Sequence, residues 1–215
     1  FELCGEPIMA RTLRNLVEHG FEEVICIITP ADDARGYTKQ IVEAAGLPLR
    51  VRYVVQQQPL GMGDAVLTGT AAMNGSERER FAVISGYHVH AGEVLKKMRN
   101  LGEGTVLTSN TVTHSLDYGI LSINADGFAT GIVEKPEKGT EPSDQRVLSL
   151  YLLDTQYLTE LQQTPADELS FEIALDAVLA KNPAPILRID QKTPTLKYAW
   201  HALAFLHEML GGLTS

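Results

Sequence analysis

The sequence contains little cysteine and tryptophan and has no long apolar run. Cys4 and Cys26 are its only two cysteines in 215 residues. Because Cys26 lies within the apolar run EVICIIT, we expect a buried reduced thiol rather than a disulfide, and hence a reducing compartment, the cytoplasm. No stretch approaches the roughly 18 consecutive apolar residues of a transmembrane helix. The first residues also lack the pattern of a secretory signal.

An excess of positive charge is missing too. The chain has 18 Lys and Arg against 27 Asp and Glu, a formal net charge of −9. This balance argues against nucleic acid or an anionic membrane surface as the main partner, although a local basic pocket for one phosphate stays compatible with it. We therefore expect a small-molecule partner, and a homo-oligomer remains open.

The first hundred residues alternate between helical and strand patterns. PIMARTLRNLVEHG is amphipathic with a proline suited to its first turn, and EVICIIT reads as a strand buried on both faces. Further helices are predicted near 33–46 and 62–74, and further strands at RVRYVV and FAVIS. This order predicts βαβ units and a parallel sheet.

After residue 104 the pattern changes to short strands separated by turns. The predicted strands are GTVLTSN, YGILSIN, FATGIVEK and RVLSLYLLD, with ADG as a hairpin turn between the second and third. Helices follow at 154–163 and 168–181, and then a strand at APILRID. We predict a single α/β domain over 1–215, with halves of about 1–103 and about 104–215 and a ligand cleft at the strand ends between them.

Two stretches carry candidate binding residues. In YVVQQQPLGMGDAVLTG a strand ends at Gln56 and turns through Gly61 into a helix, so the carboxamide could face the edge of a pyrimidine, or the stretch is an ordinary turn. In DYGILSI and GIVEKP, Gly119 permits close backbone approach, while Glu134 and Lys135 could bind sugar hydroxyls and a phosphate. A solvated ion pair on a turn is the alternative for this carboxylate and ammonium.

A third stretch, FAVISGYHVH, ends a buried strand at Gly86. The position after such a glycine faces the ligand in open α/β sheets, and there the chain has Tyr87.

Together, and in this order, five segments resemble the sugar-1-phosphate nucleotidylyltransferases: ELCGEPIMARTLRNLVEHGFEEVICIIT, QQQPLGMGDAV, FAVISGYHVH, DYGILSI with GIVEKP, and YAWHALAFLHEML. The resemblance implies a Rossmann-like nucleotidyltransferase fold with a mostly parallel mixed sheet and a small β-rich sugar-binding part. It also implies transfer of a nucleotidyl group from a nucleoside triphosphate to a sugar 1-phosphate, with release of pyrophosphate and with Mg²⁺ as cofactor.

On matching positions, the resemblance assigns roles residue by residue. Gln56, Gly61 and Gly86 belong to the nucleotide site, and Gly119, Glu134 and Lys135 to the sugar-phosphate site.

The chain departs from the family pattern at both expected metal aspartates. Tyr87 stands at the first position and Ala202 at the second, two residues after Trp200. Mg²⁺ is usually held by carboxylates and substrate phosphates, so the sequence offers no metal ligand here and the cofactor is doubtful. His88 and His90 would share one strand face, but imidazole suits softer metals.

A second departure concerns the glycine-rich, arginine-containing loop and the strand that precede these segments in the family. Neither is in this chain, so we expect weak triphosphate binding, a strand-wide gap near the middle of the sheet and a longer natural chain. Ser149 also stands where the family usually has glycine, and Val147 or Leu148 where it has asparagine.

Three hypotheses follow. The chain is part of an active nucleotidylyltransferase, a catalytically inactive domain that binds a nucleotide sugar or a partner subunit, or a plain assembly module with Tyr87 filling its cleft. The retained Gln56, Gly61, Glu134 and Lys135 favour ligand binding over the third hypothesis, and the absent pair of aspartates favours the second hypothesis over the first.

Overall fold

The computed structural model describes residues 2–3, 5–75, 79–112 and 118–189. The strands are β1 Glu2–Leu3, β2 Glu6–Pro7, β3 Glu23–Ile28, β4 Arg50–Val55, β5 Arg80–Ile84, β6 Val106–Thr111, β7 Gly119–Ile123, β8 Ala129–Glu134, β9 Gln145–Asp154 and β10 Ile186–Arg188. The helices are α1 Ile8–Glu18, α2 Pro30–Arg35, α3 Tyr37–Ala45, α4 Met62–Ala71, α5 Ala91–Arg99, α6 Thr155–Gln163 and α7 Ser170–Lys181.

The ten-residue strand β9 organises the larger sheet. One edge of β9 pairs antiparallel with β6, which pairs in parallel with β10. The other edge pairs first with β7 at Arg146 and then with β5 from Leu150 to Asp154. Strand β9 thus joins the two halves of the sequence in one sheet.

Strands β3 and β4 form a separate parallel sheet of two strands. Strands β3 and β5 do not pair with each other, although residues of both strands line one cavity. Within the described residues no strand pairs with both β3 and β5, so the first half of the chain is divided between two sheets. The strand-wide gap of the sequence analysis stays a prediction.

Helices cover both faces of β3. On one face Val24 packs with the cluster around Leu13 and Leu16 of α1. On the other, a Cβ on Gly69 of α4 would lie 2.8 Å from Ile27 Cδ1, so the helix approaches the strand closely. Within β3, Cys26 and Ile28 are buried and the other four residues are half-buried.

The largest core lies between the sheet and helices α6 and α7. Phe171 is fully buried with its ring centroid 4.8 Å from that of Tyr151 and 5.2 Å from that of Tyr157. Val66 and Phe81 from the first half of the chain join the same cluster as Leu107 and Leu121 from the second. The core is therefore continuous across the two halves.

The predicted α/β class is confirmed, and the details differ in three places. The predicted helix over 33–46 is two helices, because Gly36 adopts φ 69° between them. Helix α5 was missed, although Ala91, Leu95 and Met98 give it a buried face. The pairings that the structure describes are mostly antiparallel rather than mostly parallel, since β9 runs against its neighbours.

The ADG hairpin turn is confirmed. Asn124 Oδ1 accepts hydrogen bonds from the amides of Asp126 and Phe128, and Gly127 takes φ 84°. None of the helices that the structure describes is long and apolar enough to cross a bilayer.

Candidate functional site

Tyr87 lies just beyond the end of β5, as the sequence predicts. The preceding Gly86 is fixed by its carbonyl, which accepts a hydrogen bond of 3.0 Å from the Thr12 hydroxyl of α1. The Tyr87 hydroxyl and Ser149 Oγ of β9 are 2.9 Å apart. The residue that follows β5 and a residue of the neighbouring strand β9 therefore meet through their hydroxyl groups.

His88 extends the same cluster. Its Nε2 lies 3.1 Å from Ser149 Oγ, and its ring centroid lies 4.9 Å from that of Tyr87, with the two ring planes tilted by 36°. The pKa of His88 is lowered to about 4, mainly by burial and also by the nearby Arg146 guanidinium, while the hydrogen bond to Ser149 opposes this, so the imidazole is neutral at pH 7. His90 is exposed at the start of α5 and does not share a strand face with His88, because the chain turns between them.

The turn after β4 uses Gln56 as an internal clamp. Its Nε2 donates to the Gly61 carbonyl at 3.1 Å and to Asp64 Oδ2 at 2.8 Å. The amide hydrogens of Gln56 thus hold the turn, and only Oε1 is left to face a ligand. The sequence suggests a carboxamide that is free to bind a ligand, but its Nε2 already donates both of its hydrogen bonds within the turn.

Gly61 is required by both its conformation and its surroundings. It adopts φ 97°, which side chains rarely tolerate. A Cβ there would lie 3.0 Å from the Cα and the carbonyl oxygen of Glu168. The turn therefore contacts the backbone that leads into α7, which links the predicted nucleotide and sugar sides.

Gly119 and Glu134 are opposite each other in the β7–β8 hairpin. A Cβ on Gly119 would lie 2.9 Å from Glu134 Oε2. The absence of a side chain on Gly119 therefore lets the Glu134 carboxylate lie against the backbone of β7. The glycine predicted from the sequence thus makes space for the carboxylate predicted beside it.

Lys135 has an unusual backbone. It is the only non-glycine residue with positive φ, 47°, in the part of the chain that the structure describes. Its amide donates to the Tyr118 carbonyl at 3.1 Å, and its Nζ lies 3.9 Å from Glu134 Oε1 with the side chain 54% exposed. Strain of this kind costs on the order of 1 kcal/mol and is common where a side chain must be aimed at a ligand.

Glu172 on α7 is a candidate that the sequence reasoning missed. Its Oε2 is buried and accepts no hydrogen bond from the described residues. Burial raises the pKa of Glu172, and the nearby Glu134 carboxylate raises it further while Lys135 opposes this. The pattern FEIALD has acidic residues one turn apart at Glu172 and Asp176, but only the fold shows that Glu172 faces the β7–β8 hairpin.

Arg146 is the second residue that the sequence did not single out. It is buried, its Nε donates to Asn110 Oδ1 at 2.7 Å, and its guanidinium lies 4.5 Å from the centre of the Tyr118 ring. The positive charge of Arg146 is close enough to His88 to lower its pKa.

The residues around Tyr87 do not fit Mg²⁺. The strand end offers a tyrosine hydroxyl, a serine hydroxyl and a neutral imidazole, all within one hydrogen-bonded cluster. Mg²⁺ prefers carboxylates and water, and a neutral phenol neither neutralises nor attracts it strongly. No group of three or more His, Cys, Asp or Glu is placed to hold a metal within the described ranges.

Most of the candidate residues lie near one another in the fold. The nucleotide-side turn contacts the start of α7, α7 carries Glu172 next to Glu134, and Tyr151 is close enough to Tyr87, Glu134 and Glu172 for all three to raise its pKa, after burial. Ala202 and Trp200 lie outside the described residues.

A pH-dependent stability is expected from Glu172. Because its pKa is raised on folding, the carboxyl favours the folded state below the unfolded value of about 4.3, and this contribution disappears as pH rises through the higher folded pKa. Glu172→Gln should therefore gain stability relative to the unmodified chain as pH rises from 4 to 7. Urea unfolding at both pH values measures this, with the exposed Glu168→Gln as the matched control. An equal difference at both pH values would remove the argument for a strained carboxyl.

Comparisons with known proteins show which proteins this chain is similar to. A family model described as nucleotidyl transferase matches residues 1–184. A glucose-1-phosphate thymidylyltransferase of Mycobacterium tuberculosis (strain CDC 1551 / Oshkosh) is 27% identical over 157 residues, which are 71% of this chain and 52% of that protein. One from Xanthomonas campestris pv. campestris (strain B100) is 25% identical over 168 residues, 76% of this chain and 56% of that protein. The chain thus spans about half the length of these curated relatives.

A solved structure agrees on the fold. A UDP-glucose pyrophosphorylase complexed with UDP-glucose superposes with a TM-score of 0.78 at 17% identity, over 99% of this chain and 89% of that one. At this identity the likeness concerns the fold alone.

Proposed function

Because the chain belongs to the nucleotidyl transferase family, we propose that its cleft binds a nucleotide sugar, or a sugar 1-phosphate with a nucleoside triphosphate. We further propose that the chain alone is impaired in, or incapable of, nucleotidyl transfer. The observation that carries this proposal is Tyr87, whose hydroxyl is bonded to Ser149 at the strand end where the family pattern has a metal-binding carboxylate.

The base side of the ligand is assigned to the turn after β4. Gln56 Oε1 can accept a hydrogen bond from the imide N–H of uracil or thymine, while its amide hydrogens keep the turn in place. Gly61, with φ 97° and packed against the Glu168 backbone, helps to fix the turn that carries Gln56. The names of the relatives, a thymidylyltransferase and a UDP-glucose pyrophosphorylase, favour pyrimidine nucleotides as the first ligands to try.

The sugar side is assigned to the β7–β8 hairpin and α7. Glu134 and Glu172 can accept hydrogen bonds from sugar hydroxyls, which would satisfy the buried Oε2 of Glu172. The exposed ammonium of Lys135 can bind the phosphate as a point charge. This division explains why acidic and basic groups lie side by side in the cleft.

Impaired transfer follows from the missing charge neutralisation. Phosphoryl and nucleotidyl transfer depend on positioning and on stabilisation of charge at the phosphate oxygens, to which metal ions contribute strongly. The hydroxyl and imidazole cluster at the end of β5 provides no anionic ligand for such an ion. Binding can survive without the metal, whereas turnover loses its main electrostatic contribution.

A second candidate function is a regulatory or assembly domain that binds a nucleotide sugar without chemistry. The same Tyr87 cluster favours it, because a ring that fills the metal position is compatible with ligand binding but not with catalysis. The two candidates differ only in whether slow transfer remains, and a pyrophosphate assay separates them.

Lys135→Ala tests the ligand site. The substitution removes a charged hydrogen-bond donor and should weaken binding of UDP-glucose or TDP-glucose by about 1 to 3 kcal/mol, the range for a lost bond to a charged group. Calorimetry measures the affinity of both proteins, and Lys138→Ala, an exposed lysine three residues on, is the control. Equal affinity of the Lys135→Ala variant and the unmodified chain would place the sugar phosphate elsewhere.

A further inference from the structure

The carboxamide of Gln56 is held in one orientation by two neighbours that only accept hydrogen bonds. Its Nε2 donates to the Gly61 carbonyl at 3.1 Å and to Asp64 Oδ2 at 2.8 Å. A carbonyl and a carboxylate carry no hydrogen to donate. If the carboxamide turned over, its Oε1 would face both oxygens, and each of them would lose this donor. Nε2 is therefore fixed within the turn, and Oε1 is the atom that remains for a ligand.

The two accepting groups are held in place by the packing of α4 against α7. A Cβ on Gly61 would lie 3.0 Å from the Cα of Glu168. A Cβ on Gly63, in the first turn of α4, would lie 3.0 Å from the Phe171 amide nitrogen. Because the turn and the start of α4 have little room to shift, the carboxamide of Gln56 is oriented before a ligand binds.

The fold also selects one glutamine out of three in the sequence. Gln56 is half-buried, and its own amide donates to the Ile28 carbonyl of β3 at 2.9 Å, which anchors it to the end of the strand pair. Gln57 and Gln58 are exposed. The orientation of the Gln56 side chain is therefore a property of the folded turn, which the two following glutamines do not share.

An oxygen that only accepts hydrogen bonds distinguishes between pyrimidine bases. Uracil and thymine carry a hydrogen on N3, whereas N3 of cytosine is itself an acceptor. A carboxamide that could turn over would suit either base, since it can present its oxygen or its nitrogen. A carboxamide fixed with Oε1 toward the ligand can bind the imide N–H, but it leaves N3 of cytosine facing another acceptor. Selectivity then depends on what prevents the carboxamide from turning.

Resting on the proposed function, in which Gln56 contacts the base, we propose that Asp64 is a positioning residue that selects uracil or thymine over cytosine. It does so by holding the Gln56 carboxamide with its oxygen toward the base. The Gly61 carbonyl is a backbone group that any sequence with this turn provides, so the Asp64 carboxylate is the part of the lock that side-chain chemistry supplies. Asp64 also lies in the first turn of α4, where a carboxylate stabilises the helix N-terminus, and the test must separate these two roles.

Calorimetry with UDP-glucose and CDP-glucose, on the unmodified chain and on Asp64→Asn, measures the selectivity. Asparagine has the same shape, but its amide can also donate to a reversed Gln56 carboxamide, which then presents Nε2 to cytosine. We expect the unmodified chain to prefer UDP-glucose by roughly tenfold or more, because a mismatched acceptor is left unpaired. The variant should bind CDP-glucose roughly fivefold more tightly than the unmodified chain does, the gain of one hydrogen bond. The Gly61 carbonyl still opposes the reversal, so the preference narrows without inverting.

Two control variants separate positioning from helix stability. Asp64→Glu keeps a carboxylate that only accepts hydrogen bonds, and it should keep the preference for UDP-glucose. Asp33→Asn removes an exposed carboxylate from the first turn of α2 and should change neither affinity. A weakened helix lowers the affinity for both ligands, whereas only a turned carboxamide raises the affinity for CDP-glucose.

Nuclear magnetic resonance of the Gln56 side-chain amide gives a readout without any ligand. In the unmodified chain its Nε2 hydrogens should exchange with solvent roughly tenfold more slowly than those of the exposed Gln57, because both are hydrogen-bonded. In Asp64→Ala one of the two hydrogens should lose this protection. Equal exchange at Gln56 in the two proteins would overturn the role of Asp64 as the lock.

The binding outcomes separate this inference from the proposed function. Tighter binding of CDP-glucose by Asp64→Asn, with the preference kept in Asp64→Glu, supports the role of Asp64. An unchanged ratio of the two affinities in Asp64→Asn, or an equal loss for both ligands, overturns that role and leaves the proposed ligand site intact. A preference of the unmodified chain for CDP-glucose overturns it as well. Binding of neither nucleotide sugar to the unmodified chain overturns the proposed function, and this inference with it.

Discussion

A chain that carries both Tyr87→Asp and Ala202→Asp is expected to bind Mg²⁺ at least roughly tenfold more tightly than the unmodified chain. The reason is that carboxylate oxygens are the protein ligands that usually hold this ion. The present strand end holds a tyrosine hydroxyl 2.9 Å from Ser149 Oγ, which gives no charge to a cation. The second position is chosen from the resemblance, since Ala202 lies outside the described residues. Calorimetry with MgCl₂ measures the affinity.

The matched control separates charge from shape. Tyr87→Asn with Ala202→Asn removes the ring and keeps the size of the new side chains, but adds no carboxylate. We expect no gain in Mg²⁺ affinity from it. A gain equal to that of the aspartate pair, or a tight Mg²⁺ site in the unmodified chain, would contradict the assignment of the metal position.

Phe171→Ala is expected to lower the free energy of unfolding by about 3 to 5 kcal/mol, the usual cost of removing a fully buried aromatic ring. The ring is completely inaccessible and packs between Tyr151 and Tyr157. Phe171 also precedes Glu172, so the cavity left behind should loosen the side of the cleft that we propose for the sugar. Urea unfolding followed by circular dichroism measures the loss.

The neighbouring Ile173 supplies the control on the same helix. Its side chain is 48% exposed, so Ile173→Ala should cost well under half of the Phe171→Ala effect, as is usual for exposed positions. Similar losses for the two variants would mean that α7 does not pack on the sheet through the face described above.

Much of the fold could be predicted from apolar patterning and turn residues. EVICII and RVRYVV give strands because they are rich in β-branched residues, which favour extended backbone. The helix split at Gly36 needed knowledge of a positive φ, which the sequence only hints at through glycine. Helix α5 was missed although Ala91, Leu95 and Met98 have the spacing of an amphipathic helix, so the sequence carried a signal for it.

The pairing of β9 could not be predicted from its own sequence. Strand direction depends on long-range contacts, and β9 is bonded to β5, which precedes it by some 60 residues in sequence, as well as to β6 and β7. Local patterning carries no signal for such a pairing. The parallel sheet inferred from the first half of the chain was therefore incomplete.

The candidate site also contains some residues that the sequence indicates and others that only the fold reveals. Gly61 and Gly119 could be identified from the sequence because backbone approach and positive φ favour glycine. Glu172 could not, since its importance arises from an unpaired buried oxygen that faces a hairpin 40 residues earlier. The hydrogen bonds that Gln56 Nε2 donates to Gly61 and Asp64 could not be predicted either, because they depend on where the fold places these two residues.

The central claim is that the cleft keeps a ligand site and has lost the metal chemistry at Tyr87. The most direct measurement is pyrophosphate release by the unmodified chain, assayed with UTP or TTP, glucose 1-phosphate and MgCl₂. A homologue with both metal aspartates serves as the positive control. We expect no Mg²⁺-dependent release above background, while UDP-glucose or TDP-glucose still binds in calorimetry. Turnover that requires Mg²⁺ would contradict this account and make the chain an active nucleotidylyltransferase.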